Sequence, residues 1–469
     1  MLDTAIRNAT IITAGDRFQA EIGIRDGRIT AIAEDVGPAR EVIDATGLWV
    51  MPGGIDAHVH LAQPQGPDVV MADGFESGTR SAAAGGTTMV MPFALQQKGQ
   101  SLREVVEAYH AAAKGKCHVD CSFHIIITDP TPQVLGQELP ALVKAGYTSF
   151  KVFMTYDDMV LNDAQLLDVF DVARREHAMV MVHAEGYDAI RYMTRRLEEA
   201  GRTAPYYHAE SRPESVEREA THRAISHAEL TDVPIMIVHV SGREPMEQIQ
   251  WAKRRGRKLY AETCPQYIAL TRDDLKGLNM DFEGAKYVCS PPPRDQASQQ
   301  AIWEGLRDGT FDIFSSDHCP FRFDDPRGKS VEGARTSFRW VPNGIPGVET
   351  RLPILFSEGI SKGRITPERF VALTATNPAR LFGMYPRKGT IAIGSDADLT
   401  LWDPVREVTI SQSLMHHDCD YTPYEGMPVT GWPVRTILRG RTIMAEGEVT
   451  GAPFAGTYID RGISQAFAA

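Results

Sequence analysis

The sequence predicts an α/β fold: a (β/α)8 TIM-like barrel with a small β-sandwich domain built from both chain ends. Three observations predict it. Short apolar, β-branched runs alternate with longer helical patterns through the middle of the chain. Both ends alternate apolar and polar residues at strand period. The residues able to bind a metal ion fall at the C-terminal ends of the central runs, where such barrels place their active sites.

Residues 1–51 are expected to form the N-terminal part of the sandwich. They contain AEIGIRDGRITAIAE, two strand patterns about a turn at Asp26-Gly27. Residues 52–384 are the expected barrel. Its eight runs are GGIDAHVH (53–60), GGTTMVMPF (85–93), CSFHIIIT (121–128), YTSFKVFM (147–154), HAMVMVHAE (177–185), VPIMIVHVSG (233–242), KLYAETC (258–264) and FDIFSSDH (311–318). Helical patterns such as LREVVEAYHAAAKG (102–115) and DAQLLDVFDVARREH (163–177) lie between them. Residues 385–469 return to strand patterns, GTIAIGSDADLTLWDP and VRTILRGRTIMAEGEV, and end in a tail. Neither end is long enough for a comfortable core, so one sandwich from both is the simplest solution. The tail carries Phe454, Tyr458, Ile463 and Phe467 at no clear period, and is expected to pack on a neighbouring subunit.

Bulk properties narrow the function. With 43% hydrophobic and 23% charged residues, the chain can build a large core. A net charge of −12 opposes nucleic acid or an acidic membrane surface as the main partner. The longest apolar stretches fall far short of the ~18 residues of a membrane span. The start, MLDTAIRNATIITAGD, lacks the basic opening and apolar run of a signal peptide. Six cysteines form no disulfide or zinc-finger framework, so reduced thiols in a cytoplasm are expected.

His58 and His60 end the first run, His183 the fifth, His239 the sixth and Asp317 the eighth; Lys151 lies on the fourth. Taken singly these are weak signals. A lone strand-end histidine is most often a hydrogen-bonded structural residue. One H-x-H triplet means little among 14 histidines. Together they differ, because barrel geometry brings strand ends to one rim. His58 and His60 share a strand face, and imidazole with carboxylate suits zinc or a similar divalent ion. Lys151 is the odd member. It sits among Phe150, Val152 and Phe153, and a buried, unpaired ammonium is costly. His318 is expected to point away from the site, and His416-His417 reads as surface or interface. On the residues alone, Tyr156 could be a rim aromatic and Asn343-Gly344 only a turn.

The stretches PGGIDAHVH, FKVFMTY, VHAEG, VHVSG, AETCPQY, CSPPPR, SSDHCPF, PNGIPGVETR, TNPARLFG and RKGTIAIGSDADLTLWDP closely resemble, in order and over essentially the whole chain, the hydantoinase/dihydropyrimidinase family of the amidohydrolase superfamily. The resemblance implies hydrolysis of a cyclic amide C–N bond in a hydantoin- or dihydropyrimidine-type ureide or a cyclic imide, giving an N-carbamoyl or amide acid. It implies two divalent metal ions, zinc first among them. His58, His60 and Asp317 would hold the more buried ion, His183 and His239 the second. Lys151, carboxylated on its ε-nitrogen by CO2, would bridge both. Asp317 would act as general base and then acid, Tyr156 would stabilise the oxyanion, and Ser290 and Asn343 would hold the substrate edge through backbone groups. No nucleophile role is needed for Cys289 or Cys319. A homotetramer or homodimer is expected.

The alternatives are an allantoinase-like ureide hydrolase and a non-enzymatic scaffold of this fold. Ala62 stands where dihydroorotases usually carry a carboxylate-binding arginine, which argues against that activity. Three candidate lids, LAQPQGPDVVMADGF, FALQQKGQ and DDMVLND, are polar, with Gln63, Gln65, Gln96 and Gln97 prominent. Lids at barrel rims set substrate choice, so a small or polar ring substituent is expected.

Overall fold

The computed structural model describes residues 1–450 and 455–467. Phe454 of the tail lies outside the described residues. Among the described residues the strands form two nine-stranded sheets.

The first sheet is the barrel. Its strands are β1 (Gly54–Val59), β2 (Thr87–Leu95), β3 (His124–Ile126), β4 (Ser149–Phe153), β5 (Met179–His183), β6 (Ile235–Ile237), β7 (Leu259–Thr263) and β8 (Ile313–Phe314). They pair in parallel in chain order. A short ninth strand, Asp120–Cys121, also pairs with β2. All eight predicted runs are therefore found. The seam between β8 and β1 is held by one parallel bridge, Val59 to His318, and by His60 N donating to His318 O at 2.7 Å.

Both faces of each strand are covered, which is why the runs read as nearly unbroken apolar stretches. On β5, Met179 and Met181 join the inner cluster, while Val180 and Val182 join the layer under the helices. Helices Leu102–Ala113 and Asp163–Glu176 lie close to their predicted ranges. The second opens with a capping box between Asn162 and Gln165. At Gly85, where a helix hands over to β2, a Cβ would come 2.3 Å from Glu349 O, so only glycine fits.

The second sheet joins the two chain ends. Strands Leu2–Ile12, Arg17–Arg25, Arg28–Ala33, Ala39–Asp44 and Trp49–Pro52 share it with Leu399–Thr409, Pro428–Leu438, Arg441–Ala445 and Glu448–Val449. The join is antiparallel, with Pro52 opposite Leu399. Asp26 and Gly27 have φ of 52° and 74° and connect the paired Arg25 and Arg28, a two-residue turn that suits strand twist. Ile6, Ile22 and Ile24 pack with Leu399, Leu401 and Ile437.

The described part of the tail packs on its own barrel. Tyr458 bridges Cys121, Ile459 is buried, and Phe467 packs against the inner cluster. The buried Arg461 donates to Ser149 Oγ at 2.7 Å and to Phe123 O at 2.5 Å. Among the described tail residues named above, Ile463 alone is well exposed. The aromatic residues lack a period because they fill the underside of a barrel, not one face of a helix or strand.

All six cysteines are free thiols. Among the described residues no helix is long and apolar enough to cross a membrane.

Candidate metal centre and substrate cavity

The C-terminal ends of the strands bring the predicted residues together. Lys151 lies level with Met181 and Phe153 with His183 across the β4–β5 ladder, so these four share a face. Pairing of β1 with β2 shifts register between Asp56 and Val59, so His58 falls within the shift and His60 just after the strand, and both line the mouth. Donor atoms of His58, His60 and Asp317 all lie within 4.8 Å of one another. His58 Nε2 and His60 Nε2 stand 3.2 and 3.3 Å from Asp317 Oδ1.

Each of these histidines is held by its other nitrogen. His58 Nδ1 is 2.7 Å from Glu262 Oε1, and His60 Nδ1 is 2.7 Å from Gln63 Oε1. Such contacts fix ring orientation and present the second nitrogen to a ligand. His183 and His239 form a second pair, with ring centroids 4.4 Å apart. His183 Nε2 is 2.7 Å from Glu185 Oε2. His239 Nδ1 is buried with no hydrogen-bond partner. Burial, reinforced by the Lys151 charge, keeps His58 well below the usual imidazole range, and burial with the His183 and Lys151 charges does the same for His239. Both rings are therefore neutral, the form that binds metal. A cluster of neutral imidazoles around one carboxylate, with a buried nitrogen left over, suits a divalent cation.

Lys151 is fully buried, and its Nζ lies 3.3 Å from His58 Nε2. The rings of Phe93 and Phe153 flank it at 5.2 and 5.1 Å. Burial pulls its ammonium down to about 8, with the charges of Asp317 and Glu262 acting in the opposite direction. Burial pushes the Tyr156 phenol above its usual range, so it stays protonated; its hydroxyl is within hydrogen-bonding reach of Ser290 and Asn343.

Every residue singled out in the sequence as a metal, catalytic or substrate-edge candidate lines one cavity of about 290 Å³. Three of them carry left-handed backbone on a non-glycine residue, with φ of 71° at Tyr156, 40° at His239 and 51° at Asp317. Such conformations cost of order 1–3 kcal/mol each and cluster at functional sites.

Two expectations change. The polar lids do not present a polar wall. Gln63 is buried and occupied with His60. Gln96 is buried and accepts from Thr128 N and Asp129 N, both at 3.1 Å, and it does not line the cavity. Gln63 and Gln65 line it beside Arg339, but so do Val69, Phe153, Met159, Phe321 and Trp340. The wall is largely apolar. Secondly, His416-His417 is not free surface. His416 Nδ1 is 2.8 Å from Glu349 Oε1, and His417 is buried. His318 points away as expected, to Asp73 Oδ2 at 3.0 Å. Burial pushes the Cys289 and Cys319 thiols well up, which leaves them inert at neutral pH.

Sequence reasoning missed Glu262, Glu185 and the holding role of Gln63. Glu262 sits on β7 within AETC, with strand residues on both sides and nothing local to mark it. An acidic residue inside a buried run was the available signal.

The profile of the amidohydrolase family matches residues 49–443. The chain is 46% identical to a D-hydantoinase of Rhizobium radiobacter over 98% of this chain and 99% of that one. A solved D-hydantoinase structure, 46% identical, superposes with a TM-score of 0.94 over 98% of this chain and 99% of the other. The dihydropyrimidinase of Brevibacillus agri NCHU1002, 42% identical, gives 0.95 over 99% of each. A barrel mouth built for a divalent cation, and likeness of this extent over the full chain, place the protein: it belongs to the amidohydrolase family and is a metal-dependent cyclic amidohydrolase of the hydantoinase type.

Proposed function

We propose that the protein opens 5-substituted hydantoins to N-carbamoyl amino acids, preferring the D series and apolar substituents. The observation that carries this is the single cavity in which the metal-type ligands, Tyr156, Ser290 and Asn343 meet an apolar wall. The D preference is carried over from the relatives' names.

His58, His60 and Asp317 would hold one ion and His183 and His239 the other, with zinc as the metal. Bound there, the ions would supply Lewis acidity and make water acidic near neutral pH. Lys151 is the bridging residue. Its lowered pKa leaves some free amine near neutrality. That amine would attack CO2, forming an N–C bond as one C=O π bond of CO2 breaks and losing one N–H proton to solvent, so that the neutral amine becomes a carbamate anion able to bridge two ions. Asp317 accepts a proton from the attacking water and delivers it to the ring nitrogen as the C–N bond breaks. Tyr156 donates a hydrogen bond to the developing oxyanion. Backbone groups at Ser290 and Asn343 hold the ureide edge.

Catalysis would belong to the unit 52–384, with 1–51 as the N-terminal part of the flanking β unit and 385–469 as its C-terminal part plus the tail. The working form is a cytoplasmic homo-oligomer, a tetramer or dimer. The test is a ring-opening screen of metal-replete protein against D- and L-5-substituted hydantoins, hydantoin, dihydrouracil, allantoin, dihydroorotate and simple imides. Faster opening of a D-aryl hydantoin than of hydantoin itself is expected. Opening of none would sink the reading.

A further inference from the structure

Behind the substrate cavity lies another fully buried lysine, Lys329. The groups that face its charge are the thiols of Cys289, Cys319 and Cys419, none of them a counterion at neutral pH. Its Nζ donates to Val288 O at 2.7 Å and to Pro342 O at 2.6 Å. Its own backbone N is tied to Arg322 O at 2.8 Å. The tight turn before it needs Gly328, where a Cβ would come 2.1 Å from that same carbonyl. Lys329 is therefore held at its root and at its tip.

The two acceptors are not arbitrary. Val288 comes two residues before Ser290, and Pro342 comes immediately before Asn343. The two segments share only one direct backbone bond near this point, Gly344 N to Val288 O at 3.0 Å. Tyr156 has its hydroxyl within reach of both Ser290 and Asn343. Burying an amine without a counterion is costly, and a methionine would fill the space without that cost. A lysine in this place is explained by what its tip joins.

We infer that Lys329 is a positioning residue that clamps the 288–290 and 342–344 segments at a fixed separation, so that Ser290 and Asn343 meet one ureide edge together. This rests on the proposed substrate role of Ser290 and Asn343. The clamp acts on the part of the ring common to all substrates, not on the substituent.

The test compares wild type with Lys329→Met, which keeps length and bulk but removes the donor, and with Lys329→Gln, which keeps an N–H donor on a shorter arm. KM of Lys329→Met is expected to rise about tenfold or more, by a similar factor for hydantoins with different substituents, with kcat changing less. Metal content should stay at the wild-type level. Lys329→Gln should fall between the two, and it carries the test alone if Lys329→Met does not fold. Unchanged KM in a folded variant, or a loss confined to kcat or to metal content, overturns the clamp. A wild-type protein that opens none of these rings overturns the site reading instead.

Discussion

Lys151 at the barrel mouth and Lys388 at the seam with the terminal sheet are equally hidden, and their surroundings are opposite. Lys388 Nζ lies 2.6 Å from Asp120 Oδ2 and 3.0 Å from Asp396 Oδ2, and it also contacts Asp398. Burial alone would lower its pKa, but those three carboxylates raise it well above the usual range. Arg439 joins the same cluster through Asp120. Lys151 has aromatic rings and a neutral imidazole around it, with no carboxylate in ion-pair contact among the described residues. One lysine is a permanent cation with counterions supplied. The other is a cation without counterions, its pKa lowered by burial so that part of it is free amine near neutrality, beside a cluster of metal-type ligands. Burial does not separate a structural lysine from a chemical one; contact with counterions does.

The sharpest way to break this comparison is Lys151→Ala. It should lose most bound metal and almost all turnover, and added acetate or propionate should restore part of both. Full metal content by elemental analysis, with full activity, would make Lys151 an ordinary buried residue. Next is Lys388→Met, which removes the cation shared by Asp120, Asp396 and Asp398; Arg439 stays with Asp120 and Arg387 with Asp396, but buried Asp398 keeps no ion-pair partner among the described residues. A loss of ~3–5 kcal/mol in urea unfolding is expected, with metal content and kcat per folded molecule unchanged. Metal loss in that variant would erase the distinction between the two lysines.

Tyr156→Phe sharpens the account of the mouth. One oxyanion donor is worth ~10²–10³ in kcat, and KM should move little. Steady-state kinetics on a single hydantoin decide it. Gln63→Leu should weaken metal binding by ~10–100-fold in a chelator competition, because His60 loses the acceptor on its Nδ1. A shift in substrate preference with unchanged metal affinity would return Gln63 to the role of a lid.

The smallest effect is expected at His416, which pairs with Glu349. The hydrogen bond it donates to Glu349 raises its pKa above the usual imidazole range against the opposing effect of burial. A raised pKa stabilises the fold fully below the unfolded value and ceases to do so as pH rises through the folded one. His416→Gln should lower the Tm at about pH 5.5 and make almost no difference at about pH 9, with a contribution under ~1 kcal/mol.

The barrel was legible because each strand is a short apolar run, and because histidines and an aspartate gather at the ends of such runs. His58, Lys151, His183, His239 and Asp317 could be ordered around a rim from chain position alone. The partners behind them could not. Glu262 and Glu185 look like ordinary strand-end acids until the third dimension sets them against His58 and His183. Polar loop residues misled for a related reason. Gln63 and Gln96 have the composition of solvent-facing lids, but their amides satisfy buried groups of the barrel. Lys329 carried no local mark, and although Asp396 and Asp398 follow Lys388 closely, Asp120, which completes its cluster, is far away in the chain.

The pairing of Pro52 with Leu399 also sets an order of events in synthesis. The first fifty residues emerge with their own meander but without the partners that complete their sheet. The whole barrel must leave the ribosome before Leu399–Thr409 appears, and the strands after it come later still. Contacts between such distant segments form late, after loop closure becomes affordable. The enzyme's two ends therefore meet last, and until they do the nascent chain carries an open sheet edge beside a nearly finished barrel.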